Sequence, residues 1–248
     1  MPLGIGTSGW NYPAGKGTWN GLFYPLPEDR PRGFDELRFY SERFNTVEVN
    51  STFYGQPRAN ATLAWATRTP PDFEFAVKLF QKFTHPNLSF DRGPVTQADV
   101  DAFRGGIDPL AAAWVQIDEP KFSSSVRQDL TGGNADFYYL RLHGPNAAQW
   151  WDHAEAEDRY NYVYSKEELE PIAAAVRDVM ALARTRQPGA LKKADLFLNN
   201  HFSAQAVANA VTLKPLLDEP VTARFPPELI DRFPDLAGIA TLPRARLL

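Results

Sequence analysis

The sequence predicts an α/β protein of the TIM-barrel type, in which parallel strands alternate with helices and about six strands stand where eight are usual. Two observations carry this expectation. Short runs rich in β-branched and aromatic residues recur along the 248-residue chain, and most are followed by a stretch with helical periodicity. That alternation is the pattern of repeated βα units feeding a parallel sheet. The six runs also all end in polar side chains, as expected where strands pass into the βα loops that form the functional face of such a barrel.

The first run is Leu3 to Ser8, followed by a long loop, Gly9 to Gly33, that holds Trp10, Tyr12, Trp19, Phe23 and Tyr24. A helix is expected over Phe34 to Phe44, with Leu37, Tyr40 and Phe44 on one face. The second run is Asn45 to Asn50; a helix near Ala61 to Arg68 follows and stops before Pro70-Pro71. The third run is Phe73 to Lys78. Thr96 reads as an N-cap with Asp99 in the first turn, and Gly105-Gly106 as the stop of that helix. The fourth run is Ala113 to Asp118 and the fifth Phe137 to His143, after which an aromatic loop reaches Tyr164. Ser165 to Arg184 is the clearest helix: Ser165 and Glu168 match a capping box, and Leu169, Ile172, Val176, Val179 and Ala183 share a face. The sixth run is Ala194 to Asn199, and a last helix begins after Ser203 and reaches about Leu213, before Pro215. The domain organisation read from this is one barrel-like domain over residues 1–217, with a Pro-rich extension over 218–248, either packed on the barrel or loose.

Side chains along a strand alternate faces. Glu48 and Asn50 therefore share a face, as do Arg141 and His143, and Asn199 and His201. If that face lines the barrel, these groups converge at one rim. The candidate catalytic residues are Glu48 and Asp118 (with Glu119 beside it) as acid or base carboxylates and His143 as a proton shuttle near neutral pH. The candidate binding residues are Lys78 and Arg141 for a phosphate or carboxylate, Asn50, Asn199 and Asn200 for hydroxyl groups, His85 just beyond the third run, and Trp10 for stacking at a strand end. The bland reading of the other loop aromatics, as anchors of their own loops, is preferred. Glu48, Asp118, His143 and His201 are types that can ligate zinc or manganese. No HExxH-like spacing accompanies them, so no metal site is assigned and the cofactor stays open.

Composition narrows the classes. There is no cysteine, which excludes disulfides, thiolate catalysis and Cys-ligated metals. The formal net charge is -4, without the basic excess of a duplex-binding protein. No apolar run approaches the roughly 18 residues of a membrane span, and the opening MPLGIGTSGW lacks a basic stretch followed by an apolar one. The expectation is a cytoplasmic protein with no membrane partner. It takes a small, phosphate-bearing or sugar-containing ligand at the strand ends. Nucleic-acid processing and a non-catalytic, degenerate binding module are the alternatives, and whether the chain is an enzyme stays open.

Several ordered motifs resemble one family. GTSGW (Gly6 to Trp10), FYP (Phe23 to Pro25), FNTVEVNSTFY (Phe44 to Tyr54), FEFAVK (Phe73 to Lys78), Thr84-His85, YLRLHG (Tyr139 to Gly144), YVYSKEEL (Tyr162 to Leu169) and FLNNH (Phe197 to His201) occur in sequence. Together they resemble the YecE-like family, domain of unknown function seventy-two, from about residue 3 to 217. The resemblance implies a TIM barrel and no established activity. The family pattern also implies two further βα units, one with a Glu-x-Arg-His signature, before the strand matching AWVQID; here Leu110 runs directly into Ala111. At roughly 30 residues per unit, about 60 residues are missing. The expected outcome is an unclosed sheet with edges near Lys78 and Val115, open to pairing with a second copy.

Overall fold

The computed structural model describes residues 3–78, 80–84, 96, 98–99, 115–118, 137–186 and 192–242. His85, Glu119, Gly105, Gly106 and the Leu110-to-Ala111 junction lie outside the described residues, as does the body of the helix expected after Thr96. Among the described residues the strands are β1 (Leu3–Thr7), β2 (Thr46–Val49), β3 (Glu74–Val77), β4 (Val115–Asp118), β5 (Phe137–Leu142) and β6 (Lys193–Leu198). The helices are α1 (Glu36–Ser41), α2 (Ala59–Ala66), α3 (Gln81–Thr84), α4 (Lys166–Arg186), α5 (Gln205–Leu216) and α6 (Pro227–Arg232).

Every strand pairing is parallel. Four strands run in the order β1-β6-β5-β4, and β2 pairs with β3. Among the described residues a single bridge, Ser8 opposite Glu48, joins the two groups. Except between β3 and β4, each strand thus lies beside its sequence neighbour, and the last lies beside the first. No pairing joins β3 to β4, and no closed barrel forms among the described residues.

The seam between β1 and β2 is held by side chains. Where β2 does not pair, Asn45 accepts from Ile5 N–H at 3.1 Å and donates to Leu3 O at 2.8 Å. The Tyr40 hydroxyl accepts from Thr7 N–H at 2.8 Å and donates to Thr46 O at 3.1 Å. Buried backbone groups need partners, and these two residues supply them in place of a ladder. Gly6 permits the close approach, because a Cβ there would sit 2.2 Å from Thr46 O.

Register divides the sheet into two faces. Leu3, Ile5, Val47, Val49, Leu140, Leu142, Leu196 and Leu198 are all buried, and they face the helices. Leu169, Ile172, Val176 and Val179 of α4, with Val207, Ala210 and Val211 of α5, complete that core. The opposite face carries Ser8, Glu48, Lys78, Tyr139, Arg141, Asp195 and Phe197, most of them polar. Tyr139 packs on Phe197 at 4.9 Å between ring centres.

Local signals explain most element ends. α4 starts on the capping box: Ser165 N–H donates to Glu168 at 2.8 Å and Glu168 N–H to the Ser165 hydroxyl at 3.3 Å. The same reciprocal pair occurs between Thr96 and Asp99. α1 is shorter than its periodicity predicts, because Asp35 caps it by accepting from Arg38 N–H and regular helix ends at Ser41. α5 runs past its expected end at Leu213 to Leu216, with Pro215 tolerated in the final turn. Residues 218–242 are packed, with Phe225, Leu229 and Leu236 almost fully buried. Among the described residues no helix is long and apolar enough to cross a membrane.

Candidate functional site

A cavity of about 480 Å³ lies at the C-terminal ends of the strands. It is lined from β2 by Asn50, from β3 by Lys78, from β5 by Arg141 and His143, and from β6 by Asn199 and His201. The long loops add Tyr12 and Tyr160.

Beneath it, Glu48 is 3% exposed and holds three donors. Its Oε1 accepts from the Ser8 hydroxyl and from Arg141 Nη2, each at 2.7 Å, and its Oε2 accepts from the Tyr139 hydroxyl at 2.7 Å. Burial and the Glu48 charge push the Tyr139 phenol far above its ordinary range, so it stays a donor. Burial lowers the Arg141 guanidinium, but the ion pair with Glu48 outweighs this and raises it overall. Arg141 Nη1 lies 3.0 Å from His143 Nε2. A guanidinium only donates, so that imidazole nitrogen accepts. His143 Nδ1 in turn faces the Asn199 side-chain amide at 3.2 Å.

Lys78 lies in different surroundings. Its Nζ sits 4.4 Å from the centre of the Phe53 ring, and no carboxylate among the described residues is within ion-pair distance. Burial lowers its pKa and the Arg141 charge lowers it further, while Glu48 partly opposes both. Among the described residues two cationic side chains, Lys78 and Arg141, therefore line the cavity, with the Glu48 carboxylate beneath Arg141. Asn50 Oδ1 is buried without a hydrogen-bond partner among the described residues.

The loops are fixed to the strand ends. The Tyr12 hydroxyl donates to Ser8 O, and burial followed by the Glu48 charge keeps it protonated. Trp19 Nε1 donates to His201 O at 2.7 Å. Ser203 and Ala204 hold positive φ angles of 47° and 60° at the β6 exit. Backbone strain of this kind persists only when surroundings enforce it, and Ser203 is tied to the first loop through Gly17 O and Lys16 O. Asn146 staples the other loop by donating to Asp158 O and Asn161 O, which sets Tyr160 against the cavity.

The structure thus gathers Asn50, Lys78, Arg141, His143 and Asn199 around one space, with Glu48 below Arg141. Asn200 and Trp10 are not among them, and His85 and the Asp118 side chain lie outside the described residues. Asn200 is buried elsewhere, donating to Tyr162 O and Asn209 Oδ1 at 2.8 Å each. Trp10 meets Trp65 edge-on at 5.9 Å and is not among the cavity's lining residues. Asp118 pairs in register with Leu142, one step from the Ile117–Arg141 pair. Tyr12, Tyr160 and His201 line the cavity although they are not among the sequence-derived binding candidates; the strand-end position of His201 was the one signal pointing to it. Among the described residues no three His, Asp or Glu side chains gather closely enough to hold a metal ion.

Fold and site together define an open, parallel α/β protein with a polar cavity at its strand ends. The model of the family described as Protein of unknown function DUF72 matches residues 4–117 and 109–230, and the chain belongs to that family. Over 53 residues it is 36% identical to the UPF0759 protein YecE of Escherichia coli K12, and equally to that of strain O157:H7. That match spans 21% of this chain and 20% of the length of those curated relatives. Among solved structures, a DUF72 family protein from Enterococcus faecalis V583 is similar at a TM-score of 0.66 and 16% identity, covering 87% of this chain and 95% of that one. Another from Thermotoga maritima MSB8 is similar at 0.59 and 25% identity, covering 88% and 100%.

Proposed function

We propose that the cavity binds a small phosphorylated molecule with sugar-like hydroxyl groups. The observation that carries this is Lys78, a partly buried cation facing the cavity with no carboxylate among the described residues to match it, beside an Arg141 whose charge is already paired. An anion supplied by a ligand compensates such a charge, and charge-assisted bonds to phosphate oxygens are the strong ones. Asn50, Asn199, Tyr12 and Tyr160 add amide groups and aromatic faces suited to a hydroxylated ring.

In this reading Glu48 orients Arg141, since both of its oxygens are taken, and His143 and Asn199 extend that network to the cavity wall. The fold is read as a TIM-barrel derivative opened between β3 and β4. Circular parallel order supports that reading, as does a family match that divides at residues 109–117.

Calorimetric titration tests the proposal. Ribose 5-phosphate and glucose 6-phosphate are compared with ribose and glucose. The phosphorylated sugars are expected to bind and the free sugars not to. Lys78→Gln is expected to weaken binding by about 10- to 100-fold, the worth of a hydrogen bond to a charged group. Equal behaviour of sugars and sugar phosphates, or a Lys78→Gln variant that binds as the parent does, refutes it.

A further inference from the structure

His201 is held in one tautomer. Its Nδ1 lies 3.1 Å from Asn199 O, and a carbonyl only accepts, so Nδ1 carries the proton. Tyr12 stacks on the imidazole at 4.2 Å with planes 9° apart, and Tyr160 leans on it at 4.7 Å. His201 lines the cavity, and with Nδ1 occupied, Nε2 is the ring nitrogen left for a ligand there. Nε2 has no hydrogen-bond partner among the described residues. Burial lowers the imidazole pKa to about 4, with only the bond to Asn199 O opposing it. At neutral pH the ring is uncharged and Nε2 is a bare lone pair.

We infer that His201 Nε2 is a fixed hydrogen-bond acceptor that reads a hydroxyl group of the bound ligand. This rests on the anion reading of the cavity and deepens it. His201 enters from β6, three strands along from Lys78 on β3. The cationic side takes the phosphate, and the His201 side selects a donor, because a phosphate or carbonyl oxygen there meets a lone pair. The ligand is thereby oriented, with its anionic end at Lys78 and Arg141 and its hydroxylated end at Tyr12, Tyr160 and His201.

Two measurements on the full chain test this. Nitrogen-15 spectra of the histidine side chains, with His201→Phe assigning the His201 signals, are expected to show protonated Nδ1 and unprotonated Nε2 at neutral pH; the reverse tautomer overturns the inference. Calorimetry then compares ribose 5-phosphate with inorganic phosphate on the parent and on His201→Phe, which keeps an aromatic ring between the tyrosines. The variant is expected to bind ribose 5-phosphate about tenfold more weakly and inorganic phosphate unchanged. Unchanged binding of ribose 5-phosphate, or equal losses for both ligands, overturns the role of His201 alone. Failure of the parent to bind either ligand overturns the anion site and this inference with it.

Discussion

Glu48 and Arg141 offer the sharpest test of how the site is built. In Glu48→Gln the side chain keeps its shape and loses its charge. The new amide oxygen can still accept from Ser8 and Arg141, and its NH2 can donate to Tyr139 if that hydroxyl reverses. What is lost is the ion pair at 2.7 Å, between groups whose side chains are 4% and 12% exposed. Removing one partner of a buried pair typically costs about 3–5 kcal/mol, because the other charge stays desolvated. Glu48→Gln belongs at the lower end, about 3 kcal/mol, and Glu48→Ala at the upper end, since it also strands the Ser8 and Tyr139 hydroxyls. Arg141→Met alone leaves a buried carboxylate and is expected to cost about 3 kcal/mol. The double variant Glu48→Gln/Arg141→Met holds neither charge, and its cost should fall short of the summed singles by about 2 kcal/mol or more. Urea unfolding followed by far-ultraviolet circular dichroism measures the parent and each variant. A Glu48→Gln cost below about 1 kcal/mol, typical of an exposed pair, refutes the reasoning, and so does strict additivity of the two substitutions.

Three further outcomes follow from the same structure. Tyr40→Phe removes the hydroxyl that serves Thr7 N–H and Thr46 O in the β1–β2 seam; a loss of about 2 kcal/mol, with faster amide exchange at Thr7, is expected, and unchanged exchange there contradicts the seam. Gly6→Ala drives a Cβ into Thr46 O, whereas Gly33→Ala meets nothing within 4 Å and suffers only from its φ of 78°. Gly6→Ala should therefore lower the thermal midpoint more than Gly33→Ala, and the opposite ranking contradicts the close approach. For His201 the folded pKa, about 4, lies below the ordinary 6.5. The unfolded chain thus binds more protons between those values, and stability present above about pH 6.5 is lost as pH falls towards 4. The parent should lose more stability over that window than His201→Phe does, and parallel pH profiles contradict it.

Much of the site was legible because strand periodicity fixes faces. The two-residue alternation that joined Asn199 with His201 also separates Asn200 from them, and Asn200 is indeed turned to Tyr162 and Asn209. Glu48 and Arg141 were legible as rim residues, but their pairing was not, since strand order is a tertiary property. Tyr12 and Tyr160 carry no periodic signal: each depends on loop anchors, the Ser8 and Asn146 hydrogen bonds, that composition does not announce. Trp10 illustrates the converse. It follows a strand end, but Gly9 at a φ of 81° redirects the chain and the indole meets Trp65.

The central claim is that side chains from separate strands meet to hold an anion. A crystal structure of the protein grown with ribose 5-phosphate tests it most directly. The account predicts phosphate oxygens within about 3 Å of both Lys78 Nζ and the Arg141 guanidinium. Sugar phosphate bound away from these two cations, or a cavity left without it at saturating concentration, contradicts the account.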